Sequence, residues 1–242
     1  MTGINGMLKF VMALFLGAAP SLVAAERAGV VVMLGDSTTL CSRNRDGAKL
    51  TDFIQAALTR AHVEATIINA GKGSDTAQGG FARLQEAVFA HDPDVVTISF
   101  GLNDTGWFTP EEYREWMEKI IQEIQRKSRA GMLLVTSTPF NNARHAALST
   151  WGKGFHSQDG LDEYMDANIC MQVRTLARKY RLPMCDLHGC FRERLKKNPA
   201  IMDMLLLPDG VHLTDEGNRV AAEYLAPMIA TLISGSNAGE KQ

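Results

Sequence analysis

The chain lacks the surplus of positive charge that nucleic-acid binding requires. Its 25 Lys and Arg residues face 27 Asp and Glu, a formal net charge of −2, so no basic face for a polyanion is expected. It lacks any internal repeat or low-complexity linker, which leaves one domain with chain enough for a full core. Cysteine is scarce, with four in 242 residues. Cys185, Asp186, His188 and Cys190 have the chemistry of metal ligands but not the spacing of a zinc site, and no metal is expected. Gly71, Lys72 and Gly73 do not complete a phosphate-cradling loop, so a nucleotide cofactor is not expected either.

The N-terminus carries a short apolar run at residues 10–19, preceded by Lys9. Val23, Ala24 and Ala25 follow as a small-residue cleavage site. The run is shorter than the roughly 20 residues that span a bilayer. The pattern is that of a secretory signal peptide, with cleavage expected after Ala25 and residence outside the cytoplasm, secreted or periplasmic. A retained anchor is the alternative; after cleavage no stable membrane insertion is expected. The folded domain is expected over residues 26–233, with a small, polar, disordered tail at 234–242. Export would allow Cys41, Cys170, Cys185 and Cys190 to pair, and four cysteines permit three complete connectivities. Cys185 and Cys190 lie close enough in sequence to close a small loop.

Apolar runs at 30–34, 65–69, 94–100, 131–137 and 183–187 read as five strands. Helical spacing marks 48–61, a segment ending near Ala90, 110–129, 161–180 and 215–233. Alternating strands and helices imply a parallel sheet with helices on both faces. The strand ends then share one rim, where ligands bind in this architecture. Ser37 follows the first strand, the 71–74 loop the second and Asn103 the third. Residues 139–160 form a long loop of the kind that often carries function, with His145, Trp151, Phe155 and His156 in it.

A serine nucleophile needs a base and an orienting group. His62 and His91 are expected at the surface. His212 stands just before the last helix, on the rim side, and Asp209 precedes it by three residues with Gly210 between. One tight turn brings that carboxylate to the imidazole and leaves the far nitrogen for Ser37. The Ser37 N–H, an N–H of the 71–74 loop and the Asn103 amide could receive an oxyanion. The simpler readings are a helix cap at Ser37 or Thr38, an Asp-Gly turn and an Asx-turn at Asn103 and Asp104.

Four blocks stand in order: Gly35-Asp36-Ser37, the glycine-rich loop after Asn69, Gly101-Leu102-Asn103-Asp104, and Asp209-Gly210-Val211-His212. Together they resemble the SGNH (GDSL-type) hydrolases over almost the whole mature chain. The resemblance implies an α/β fold of flavodoxin-like type, a three-layer α/β/α sandwich with a central parallel sheet of about five strands. It implies hydrolysis of carboxylic esters without a cofactor, with Ser37 as nucleophile, His212 as base, Asp209 as its partner and Asn103 as oxyanion donor. The second block departs from the family pattern. Ser74 stands where glycine is usual, so the second donor is Ser74 or, with a slipped loop, Gly73 or Gly71. No long apolar lid is visible, which favours short acyl groups on a carbohydrate, with Trp107 and Trp151 available to stack on sugar rings. A lysophospholipase or thioesterase is the alternative enzyme, and a non-catalytic glycan-binding protein the alternative outside catalysis.

Overall fold

The computed structural model describes residues 27–144 and 160–239. The N-terminal segment read as a signal peptide, His145, Trp151, Phe155 and His156 lie outside the described residues.

Five parallel strands form the sheet: β1 (Gly29–Gly35), β2 (Ala65–Gly71), β3 (Val95–Ser99), β4 (Gly131–Val135) and β5 (Met184–Cys185). Their spatial order is β2-β1-β3-β4-β5, the doubly wound order of flavodoxin-like folds. Valine-rich β1 is an interior strand, and both its faces are apolar. Val32 and Leu34 enter one core, Val31 and Met33 the other, the period of two expected of a strand. The chain winds outward from β1 to β2, then crosses back to β3 and on to β5. The crevice between the ends of β1 and β3 is therefore the topological switch point.

Helices cover both faces, as the alternation requires. On one side lie α3 (Ala77–Ala82), α4 (Leu84–Ala87), α6 (Pro110–Lys127) and α8 (Met171–Tyr180); Tyr113, Met117, Ile120 and Ile124 of α6 are fully buried there. On the other lie α2 (Leu50–Arg60), α9 (Leu187–Lys197) and α11 (Asp215–Gly239). Four further helices have only four residues each: α1 (Ser37–Leu40), α5 (Asp104–Trp107), α7 (Leu161–Tyr164) and α10 (Met202–Leu205). Local sequence fixes α6 clearly. Thr109 caps it by accepting from Glu112 N, Glu112 accepts in return from Thr109 N at 2.8 Å, and Pro110 opens the first turn, a capping box.

Four departures from the sequence reading have physical causes. The helix expected up to Ala90 is broken at Arg83 and Val88. Gly80 presses on the Phe100 ring, so that a Cβ there would stand 2.4 Å from Cζ, and Arg83 leaves helical geometry to reach other partners. The helix at 161–180 contains a π-helical segment, Met165–Cys170, between α7 and α8. Residues 188–205, unassigned in the sequence reading, hold the rest of α9 and all of α10; α9 begins at Leu187, which the sequence reading places in the fifth strand, and Leu187, Phe191 and Leu195 are buried. The tail expected from residue 234 is helical as far as Gly239, because α11 continues past Ile233. Its serines satisfy their own helix, Ser234 Oγ donating to Ala230 O and Ser236 Oγ to Leu232 O.

The four cysteines are unpaired. Cys41, Cys170 and Cys185 are buried, and Cys190 sits in the first turns of α9. Burial pushes the Cys185 thiol up to about 12, so it behaves as a small apolar group.

Candidate active site

Each strand on the rim hands one residue to the crevice. After β1 the chain turns sharply at Asp36, whose Oδ1 accepts from Thr38 N and Thr38 Oγ1, both at 2.8 Å. Asp36 thus caps α1 and sets Ser37 at its first position, where backbone N–H groups have no intrahelical acceptor. Burial raises the Asp36 carboxyl to about 6, against the hydrogen bonds from Thr38 that lower it.

After β2, Gly73 and Ser74 reach the cleft. Ser74 has a φ of 58°, the left-handed region that favours glycine. The glycine missing from the second block is therefore missing where the backbone asks for it. Asp75 is held in a buried ion pair with Arg83, Nε to Oδ2 at 2.7 Å, and Arg83 Nη2 also donates to Gly35 O at 3.1 Å. The loop after β2 is thus tied to the end of β1.

After β3, Gly101 takes a φ of +134°, open to glycine alone among ordinary residues. Asn103 Nδ2 donates to Asp75 O at 2.8 Å, which uses one of its two amide hydrogens and leaves the other. Asp104, beside it, takes its hydrogen bonds from backbone groups earlier in the chain. Its Oδ2 accepts from Gly101 N at 3.0 Å while Oδ1 accepts from Ala77 N at 2.9 Å. Fully buried, Asp104 is raised by desolvation to about 7.

The fourth contribution comes from the loop before α11. Asp209 Oδ1 accepts from Val211 N and His212 N, each at 3.0 Å. Its Oδ2 lies 2.8 Å from His212 Nδ1, and His212 Nε2 lies 2.9 Å from Ser37 Oγ. Because a carboxylate only accepts, Nδ1 carries the proton and Nε2 accepts from the serine hydroxyl. Burial alone would raise Asp209, but the backbone donors and the imidazole outweigh it and hold the carboxyl below its usual value. The loop is braced from outside: Asn141 N donates to Gly210 O at 2.9 Å, and Arg144 Nη1 to Leu207 O at 3.0 Å.

These residues share a cleft of about 660 Å³, lined by Ser37, Ser74, Leu102, Asn103, Asp209 and His212 among others. The proximity of an 8% exposed serine to an imidazole aligned by a carboxylate can, in chemical terms, generate an alkoxide on demand. The structure therefore brings together Ser37, Gly73, Ser74, Asn103, Asp209 and His212. It does not bring in Trp107, which is 65% exposed at the end of α5 and does not line the cleft. Trp151 lies outside the described residues. The cysteine-rich segment assembles no ligand set: Cys185 is in the sheet, Asp186 pairs with Arg174 at 2.9 Å, and His188 is buried beside Asp162 at 3.4 Å. Arg43 and Arg45 also line the cleft, which sequence reasoning missed. They follow the serine block by a few residues, the one signal that could have found them.

The model of the GDSL-like lipase/acylhydrolase family matches residues 33–220. The chain belongs to that family. It is accordingly a carboxylic ester hydrolase. Among related proteins, thioesterase 1/protease 1/lysophospholipase L1 of Escherichia coli is 22% identical over 211 residues, covering 87% of this chain and 88% of the relative. A lipase/acylhydrolase from Enterococcus faecalis superposes with a TM-score of 0.67 at 23% identity, over 84% of this chain and 96% of that one. An acetylxylan esterase from Geobacillus stearothermophilus gives 0.65 at 21% identity, over 85% and 94%. Among the described residues no helix is long and apolar enough to cross a membrane.

Proposed function

We propose that this acylhydrolase works through a Ser37–His212–Asp209 triad, on short acyl esters of carbohydrates, after export from the cytoplasm. The unbroken relay from Asp209 through His212 to Ser37, at 2.8 and 2.9 Å, carries the reading. His212 Nε2 takes the Ser37 proton as Oγ attacks the ester carbonyl. The tetrahedral oxyanion is received by the Ser37 N–H, the backbone N–H of Ser74 and the free hydrogen of the Asn103 amide. His212 then gives its proton to the leaving alkoxide. Water, deprotonated by the same nitrogen, releases the acid from the acyl-enzyme. Asp209 stabilises the imidazolium formed at each step. No step calls for a metal or cofactor.

The short acyl group is supported by the small apolar lining of the cleft, which among the described residues amounts to Leu102 and Val211. The acetylxylan esterase with the same fold is in keeping with a carbohydrate alcohol. The relative from Escherichia coli keeps a thioesterase or lysophospholipase as the competing substrate class. Export rests on the charged, apolar and small-residue order of the first 25 residues.

The test is Ser37→Ala in the purified mature chain. Turnover of p-nitrophenyl acetate is expected to fall at least about a thousandfold, as for loss of a nucleophile, together with loss of labelling by a serine-reactive fluorophosphonate and an unchanged circular dichroism spectrum. Wild-type turnover in that variant would end the triad reading.

A further inference from the structure

The mechanism leaves two charges at the mouth of the cleft without a task. Arg43 and Arg45 line the same cleft as Ser37, Asn103 and His212, and both are exposed. Neither guanidinium joins an ion pair or a side-chain hydrogen bond among the described residues. The other arginines on loops around the site are matched, Arg83 with Asp75 and Arg144 with Asp203. Among the described residues the only acid lining the cleft is Asp209, already engaged by His212 and two backbone N–H groups. Asp46 follows Arg45 in sequence but does not line it.

The loop that presents the two arginines is built, not loose. Ser42 N donates to Ser37 O at 3.3 Å, and Asn44 N to Cys41 O at 3.1 Å. Asn44 turns inward, its amide donating to Asp215 Oδ1 at 2.7 Å and Ala48 O at 3.3 Å. Lys49 spends its ammonium on the carbonyls of Asn44 and Arg45. With Asn44 anchored between them, Arg43 and Arg45 face the cleft from a fixed backbone. A chain with a net charge of −2 thus concentrates two unmatched cations beside its nucleophile. Guanidinium forks at such a spot suit a carboxylate or phosphate.

From this geometry we infer that the alcohol part of the substrate is anionic: an O-acylated acidic sugar whose carboxylate is held by Arg43 and Arg45. The inference rests on the esterase reading above and sharpens it. An acetyl group, the acyl group removed by the acetylxylan esterase of the same fold, carries no charge, so with that acyl group an anion recognised by the arginines sits on the alcohol side. The sugar carboxylate would also fix which hydroxyl ester reaches Ser37, since one end of the ring is pinned at the mouth while the ester enters the oxyanion site.

The experiment compares two mono-O-acetylated methyl glycosides, galacturonoside and galactoside, which differ only in a carboxylate. In the wild-type enzyme at low salt the ratio of kcat/KM, uronate over neutral sugar, is expected to be about 10 to 100, the range for a charge-assisted contact. It should shrink in 0.5 M NaCl as the exposed charges are screened. In the R43Q/R45Q double variant it should fall to about 1, and Lys at both positions should restore part of it. Because the ratio is taken within each variant, any general loss of turnover cancels. A wild-type ratio near 1, or a ratio that survives in the double variant, overturns the inference. So does a stronger preference for an acylated glycerophosphate, which would assign the arginines to phosphate. An enzyme labelled by fluorophosphonate and active on p-nitrophenyl acetate but indifferent to the carboxylate loses only this inference. One that is neither labelled nor active loses the esterase reading and the inference together.

Discussion

Ser74 shows how one residue can carry a cost for its neighbours. A side chain at φ 58° raises the backbone energy by about 1–2 kcal/mol, and the surrounding loop holds it there through the Asp75–Arg83 pair. Ser74→Gly is expected to raise stability by up to about 1 kcal/mol, part of the gain being lost to the greater freedom of glycine in the unfolded chain. Because the proposed donor is a backbone N–H, kcat on a short ester should stay within about threefold of wild type. Urea melts and initial rates check this, and a large fall in kcat would give the Ser74 hydroxyl a task of its own. At this scale much was legible. Ser37, Asn103, Asp209 and His212 could be found because each ends an apolar run or sits in a short, ordered motif. Arg43 and Arg45 have only their nearness to the serine block to mark them, because a charge in a polar loop looks the same whether it meets solvent or substrate. Ser74 was legible as a missing glycine, and the φ of 58° shows the backbone freedom that a glycine would supply there.

Among the elements, the rim is held together by side chains that cross from one loop to the next. Arg83 is the clearest case, lying between α3 and α4 and joining Asp75 to the carbonyl of Gly35. Arg83→Ala would leave a carboxylate that is almost fully buried without its partner. The expected loss is about 3–5 kcal/mol, with a fall in kcat as the loop carrying Ser74 slackens; thermal denaturation and single-substrate kinetics read both. A loss below about 1 kcal/mol would mean that Asp75 is solvated in its absence. The five strands and the long helices were legible because their apolar residues repeat at strand or helix spacing. The break at Arg83 was not, because it follows from Gly80 meeting Phe100, a contact across the fold. The π segment is a change of hydrogen-bond register within an unbroken apolar stripe, so spacing alone conceals it. In α9, Leu187, Phe191 and Leu195 do recur at four-residue intervals, but the stripe is only three residues long and is interleaved with polar and charged ones.

For the molecule as a whole, the buried carboxyls set the response to pH. Asp36 and Asp104 are raised by burial to about 6 and about 7, so the folded chain keeps protons that the unfolded chain releases. Their contribution is full below about pH 4 and is lost as pH rises through 6 to 7. Asp186 and Asp209 are held below the usual value, against burial, by their hydrogen bonds; their contribution is present above pH 4 and disappears below it. Asp36→Asn keeps the cap on α1 but removes one proton-binding site, so the variant should gain on wild type as pH rises from 4 to 7. The difference in Tm is expected to move by on the order of 5 °C across that range, measured by calorimetry at constant ionic strength. A difference that stays flat would place the Asp36 carboxyl in contact with water.

The relay joins Ser37, near the start of the fold, to His212, just ahead of its last helix. During synthesis the serine is therefore made first and its base nearly last. In the proposed triad, a chain stopped anywhere before His212 has a nucleophile with nothing to take its proton. One stopped before α11 also lacks the helix that covers Val31, Val95 and Leu133. With the proposed triad, hydrolysis thus begins only once His212 and α11 have been made, and shorter copies are chemically silent.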